Sequence, residues 1–180
     1  MKTVFLAFLF SVASLTWTAG NDAAAPFTLT VVPSRSSPQA RSIFIADDKP
    51  DEFYVVLTNT STDAQPVFEY WNSWGYQNVS FEFTMPDGRK RVVSKIPQYF
   101  TRNFPSTFLI PADEQRVYAI RLDKQWETPP GLAADAELRI TLKAIYQVTA
   151  TAESRQHKVW TGRIESKPYD LTLRYWRNTK

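Results

Sequence analysis

The chain has no cysteine and a single histidine, His157, in 180 residues. Without a thiol there is no disulfide framework, no thiolate nucleophile and no cysteine-ligated metal. One histidine is too few for a histidine-based zinc site, which draws on two or three such ligands. A Ser-His-Asp triad would have to use His157, which reads as an exposed turn residue, and no Gly-x-Ser-x-Gly elbow positions a serine. Glycine is scarce, at 5 residues, and no glycine-rich loop exists to cradle a phosphate. The formal charge is only +3 with dispersed cations, which argues against a nucleic-acid partner. The one basic triplet, Arg89-Lys90-Arg91, lies beside a turn and reads as a solvated hairpin end. No apolar run reaches the roughly 20 residues of a membrane-spanning helix, and no repeat of fixed period is visible.

What is present begins with an address. Lys2 supplies a short basic start, an apolar run extends from Val4 to Trp17, and Thr18-Ala19-Gly20 offers small residues for a signal peptidase. The expectation is a cleaved secretory signal over residues 1–20 and a mature chain that is periplasmic or secreted. No cysteine follows the signal, so a lipid anchor is not expected there, and no stable membrane anchor remains after cleavage. A small exported domain without disulfides suits a bacterial setting better than a eukaryotic one. The sequons at Asn59 and Asn78 would matter only in the latter.

The mature stretch has about the length of one ordinary domain, expected over residues 26–176. Hydrophobic residues at 43% and charged residues at 22% are globular values, and aromatics reach 14%. Strands are expected at Phe27–Val32, Arg41–Ala46, Phe53–Thr58, Pro66–Trp71, Val79–Met85 and Lys90–Lys95, then at Ser106–Ile110, Arg116–Leu122, Leu138–Thr149, Lys158–Glu165 and Tyr169–Arg174. In the longest, Leu138, Ile140, Leu142, Ala144, Tyr146 and Val148 share one face at period two. No convincing helix is expected. Short strands separated by turns predict an all-β fold, a single antiparallel immunoglobulin-like β-sandwich behind the signal peptide.

Two segments carry a resemblance in keeping with that prediction. Phe53 to Tyr70 (FYVVLTNTSTDAQPVFEY) resembles the second and third strands of bacterial exported immunoglobulin-like domains, where a strand turns at Asn and returns through a Pro-Val-x-Phe strand. Phe108 to Glu114 with Val117-Tyr118 is similar to the proline, turn, acidic residue and strand step of such folds, without its usual glycine. The same elements occur in the intracellular proteinase inhibitor family and in pilus chaperones. The resemblance implies a fold and leaves activity open.

Catalysis by paired carboxylates would need two on facing walls of a cleft. Glu69 and Glu82 alternate on adjacent strands as solvent-facing residues do, and neither they nor Glu114 show a sign of convergence. The acidic turn Asp47–Glu52 offers four carboxylates for calcium, but Lys49 interrupts it and no Asp-x-Asp-x-Asp-Gly order is present; it reads as a solvated turn. No cofactor, no metal and no enzyme activity are expected. A binding surface is the better reading. Trp71-Asn72-Ser73-Trp74-Gly75-Tyr76-Gln77-Asn78 mixes large rings with amides and a hydroxyl, and such groups stack on sugars or anchor protein partners. The competing reading has Trp71 closing the core and Trp74 packing over the sandwich end. A second patch combines Tyr99, Phe100, Arg102, Asn103 and Phe104 on a long loop. The candidate ligand or partner surface is therefore Trp71, Trp74, Tyr76, Asn78, Tyr99, Arg102 and Asn103. The expectation is an exported non-catalytic domain that binds a protein or glycan. A carbohydrate-binding module resting on Trp74, Tyr76 and Asn78, or a protease-inhibitor-like domain, are its alternatives.

Overall fold

The computed structural model describes residues 25–33, 42–46, 50–129 and 137–176. The expected signal segment 1–20, and Asp47, Asp48 and Lys49 of the acidic turn, lie outside the described residues. In chain order the elements are β1 (Phe27–Val32), β2 (Ser42–Ala46), β3 (Glu52–Asn59), β4 (Gln65–Phe68), β5 (Val79–Thr84) and β6 (Lys90–Ser94), followed by β7 (Thr107–Ile110), β8 (Gln115–Arg121), β9 (Glu137–Val148), α1 (Ala152–Gln156), β10 (Gly162–Glu165) and β11 (Tyr169–Trp176).

The protein is mostly β, with antiparallel pairing dominant. One sheet has the order β1-β3-β8, and a larger one the order β2-β11-β9-β5-β6 with β10 also on β9; β4 and β7 form a separate pair. Alternation builds the first sheet. In β3, Phe53, Val55 and Leu57 are fully buried while their neighbours face outward, as a period of two on a half-buried sheet requires. The two larger sheets meet across a shared core in which Phe53 of β3 lies 5.4 Å from Phe81 of β5, and Phe27 of β1 lies 6.4 Å from Tyr146 of β9. Two facing sheets with this core fit a β-sandwich.

The twelve-residue β9 is the spine of the larger sheet. One edge pairs with β5; the other pairs first with β11 and then, beyond Leu142, with β10. Ser166 fills the handover: its N–H donates to the Ala144 carbonyl at 2.8 Å, and its hydroxyl accepts from the Ala144 N–H at 2.9 Å. The hairpin β5–β6 turns at Pro86-Asp87-Gly88, where Gly88 has φ +81°, a region glycine enters at little cost.

Five expectations are corrected. Pairing is not wholly antiparallel, because β2 runs parallel to β11. The strand expected over Pro66–Trp71 stops at Phe68, where backbone bonds of the next turn take over. The strand expected from Lys158 starts only at Gly162. Before it stands α1, which the strand reading omitted. Thr151 caps this helix: the Ser154 N–H donates to the Thr151 hydroxyl at 3.1 Å, and the Thr151 N–H donates to the Ser154 hydroxyl at 2.8 Å, a reciprocal box that closes two orphan donors. His157 follows α1 in a turn, as expected, but lies half-buried rather than exposed, edge-on to Phe68 at 6.3 Å.

Candidate functional site

The turn after β4 is held by one fully buried amide. Asn72 accepts at Oδ1 from the N–H groups of Trp74 at 3.1 Å and Gly75 at 3.0 Å. Its Nδ2 donates to the Ser106 carbonyl at 3.2 Å. An asparagine serves here because it alone pairs two amide donors with a carbonyl acceptor in a side chain this short. Gly75 is needed for closeness, since a Cβ there would collide with the backbone carbonyls of Glu69 and Phe68.

Asn103, from the long loop between β6 and β7, adds a second clasp. Its Oδ1 accepts from the Ser73 N–H at 3.0 Å and its Nδ2 donates to the Ser73 hydroxyl at 2.9 Å. The two loops are thus tied at two points, and their aromatics meet. Trp71 lies edge-on to Phe104 with ring centroids 5.1 Å apart, and both stay exposed, at 40% and 55%. Tyr99, on the same loop as Phe104, is 90% exposed, and Arg102 is exposed too.

The other sequence candidates divide. Tyr76 is buried, edge-on to Phe100 at 5.5 Å and capped by the Lys95 ammonium 4.3 Å from its ring. Its hydroxyl pKa is raised, first by burial and then by Asp123. Trp74 is half-buried and packs on Phe68 at 6.5 Å. With Asn78, Ser73, Gln77, Gln147 and Arg163 it lines a separate cleft of about 380 Å³. Asn78 is half-buried. So Trp71 and Asn103 belong to the two loops that are tied together, Tyr99 and Arg102 are exposed on the second of those loops, Trp74 and Asn78 line a second cleft, and Tyr76 is buried.

The carboxylates singled out in the sequence stand apart from one another. Glu69 pairs with Arg116 at 3.4 Å and Glu82 with Lys90 at 2.9 Å, while Glu114 contributes its carbonyl to Asn59. Glu52 accepts from the Tyr54 hydroxyl at 2.8 Å and pairs with Arg121 at 2.9 Å. Among the described residues no three of His, Cys, Asp and Glu gather where they could hold a metal ion.

Two features escaped the sequence reading. Lys95 gave no signal as a ring-capping cation, and nothing marked the edge of β8 with which no strand pairs among the described residues. Phe104 was visible as part of the second patch, but its partnership with Trp71 depends on two loops some thirty residues apart, which no local pattern encodes. No protein-family model matches the chain, and no curated protein is similar to it.

Proposed function

We propose that the protein is an exported, immunoglobulin-like β-sandwich that binds a protein partner through the two-loop aromatic platform and carries out no chemistry of its own. Support for the topology comes from the strand order. With β1, β3 and β8 as strands A, B and E and β5, β9 and β11 as strands C, F and G, the order is in keeping with immunoglobulin connectivity lacking a D strand beside β8, and β6 would correspond to the strand added in variable-type domains. Support for export is the basic, apolar and small-residue order of Met1 to Gly20.

The observation that carries the binding reading is the exposed Trp71–Phe104 pair, held on loops that Asn72 and Asn103 tie together. Large rings presented on a fixed backbone are what interface hot spots use, since little conformational entropy is lost on binding. Their edge-on packing makes a knob rather than a flat stacking face, and this favours a protein pocket over a sugar ring. The test is site-specific photocrosslinking in the native host, with the crosslinker at Trp71 and, as control, at Thr30 on the outer face of β1. A discrete protein adduct from position 71 alone supports the reading; equal labelling from both positions, or none, contradicts it. An adduct with a secreted protease would select the inhibitor-like form of the same reading.

The cleft of Trp74 favours a second reading, a glycan site. A half-exposed indole faces the polar side chains of Asn78, Gln147 and Arg163 there. Glycan-array binding that is lost in Trp74→Ala and kept in Trp71→Ala would select it.

A further inference from the structure

β8 pairs with β3 along one edge, and among the described residues no strand pairs with the other. The direction of each backbone group follows from the ladder. The Asn59 N–H donates to the Glu114 carbonyl at 3.0 Å, so by antiparallel alternation residues 116, 118 and 120 bond to β3. The N–H and C=O groups of Gln115, Val117 and Ala119 therefore point away from β3, and those of Val117 and Ala119 do so along a groove of about 560 Å³ that runs beside β8. Its far wall is built by Tyr70, Tyr76, Lys95 and Trp126.

That wall carries a cation of a particular kind. Lys95 Nζ sits 4.3 Å from the centre of Tyr76 and 5.7 Å from that of Trp126, and among the described residues no carboxylate is within ion-pair distance of it. The other groove cations are matched, Arg116 by Glu69 and Arg121 by Glu52. Burial lowers the Lys95 pKa, and Asp123, which also lines the groove, opposes that from the adjoining turn without reaching ion-pair distance.

We propose that this groove takes an extended segment of a partner protein as an added strand on β8, with an acidic side chain of that segment placed on Lys95. Main-chain bonds to an open strand edge supply affinity in such complexes, and pockets for alternate side chains supply selectivity. A walled groove admits one extended chain more readily than the broad edge of a second sheet. Charge complementarity selects the acid, because among the described residues Lys95 is the groove cation with no carboxylate in ion-pair contact, Asp123 acting on it only from farther off. The site lies beyond the loop platform and shares no side chain with Trp71, Tyr99 or Phe104.

The test uses capped eight-residue peptides, alternating threonine and valine, with a single glutamate walked along the sequence. Titration of the full-length mature protein should find at least one glutamate position that binds at least about tenfold more tightly than its glutamine counterpart, and Lys95→Met should erase that difference. Two further peptides carry N-methyl groups on either the odd or the even residues. Strand addition predicts that only one of the two loses binding, because only alternate amides face β8. Loss in both or in neither, a glutamate effect that survives Lys95→Met, or a β8-mediated dimer that excludes the peptide would each overturn the proposal. Trp71→Ala should leave peptide binding unchanged, which separates failure here from failure of the platform reading.

Discussion

Replacing Asn72 by alanine removes the side chain on which both loops depend, and the cost can be worked group by group. Four bonds disappear: those from the Trp74 and Gly75 N–H groups, the one to the Ser106 carbonyl, and a longer one of 3.4 Å to the Ser106 hydroxyl, which can turn to water instead. Two of these groups keep a fallback. The Gly75 N–H also reaches the Asn72 carbonyl at 3.3 Å, and the Ser106 carbonyl also accepts from the Glu69 N–H at 3.1 Å. The Trp74 N–H loses the side-chain acceptor that serves it. A stranded buried polar group costs about 1–3 kcal/mol and a lost bond with a substitute about 0.5–1.5 kcal/mol, so one of the first and two of the second should cost the variant about 2–6 kcal/mol, less than three full penalties. For a domain of this size that lowers the melting temperature by roughly 4–24 °C. Denaturant unfolding reads the stability, and amide hydrogen exchange at Trp74 and Gly75 reads the local opening, which should accelerate strongly. A loss below about 0.5 kcal/mol with unchanged exchange at those amides would refute the claim that Asn72 holds the loops.

Other consequences are equally direct. Asn59, fully buried, donates to three carbonyls, of Asp63, Ile110 and Pro111, and accepts twice from Ser61; Asn59→Ala should therefore cost about 3–5 kcal/mol by chemical denaturation. Gly75→Ala, which drives a methyl group into the Glu69 carbonyl, should lower stability by about 1–3 kcal/mol in the same assay. Burial raises the Tyr118 hydroxyl to about 12, so the folded state keeps a proton that the unfolded state releases above the ordinary tyrosine value. Stability is then intact below pH 10 and falls as pH rises from about 10 to 12, and Tyr118→Phe should flatten that alkaline decline in thermal melts.

What could be read from the residues depends on the range of the forces involved. The alternation of Phe53, Val55 and Leu57 in β3, and of Ile140 to Val148 in β9, is local and was visible as strand. Burial matches it throughout β3 and along β9 except at Ile145, which is buried on the opposite face. The Pro86-Asp87-Gly88 turn was equally plain, because its φ requirement belongs to one residue. The step after Ile110 is instructive. The glycine expected there is absent, and Asp113 takes the left-handed conformation itself with φ 60°, as an acidic turn residue can. Helix α1 was missed although Thr151 and Ser154 stand three apart, since a five-residue helix has no periodic face to announce it.

The site was legible in kind and scrambled in detail. Rings and amides between Trp71 and Asn78 did mark the loop, but the loop lacks a period, so nothing local told Trp71, which is exposed, from Tyr76, which is buried. Exposure there is decided by Phe100, Lys95 and Phe104, which arrive from another loop. The parallel pairing of β2 with β11 and the edge of β8 left unpaired among the described residues are likewise properties of the assembled sheets, beyond the reach of any window along the chain.

The central claim is that the Trp71–Phe104 platform binds a protein. Its most direct test is the affinity of the crosslink-identified partner for the mature protein, compared with Trp71→Ala and with Val32→Ala on the outer face of β1. A hot-spot ring contributes about 2 kcal/mol or more, so Trp71→Ala should weaken binding by about thirtyfold or more while Val32→Ala leaves it within about twofold. An unchanged dissociation constant for Trp71→Ala, in a variant that melts like the parent, would contradict the account.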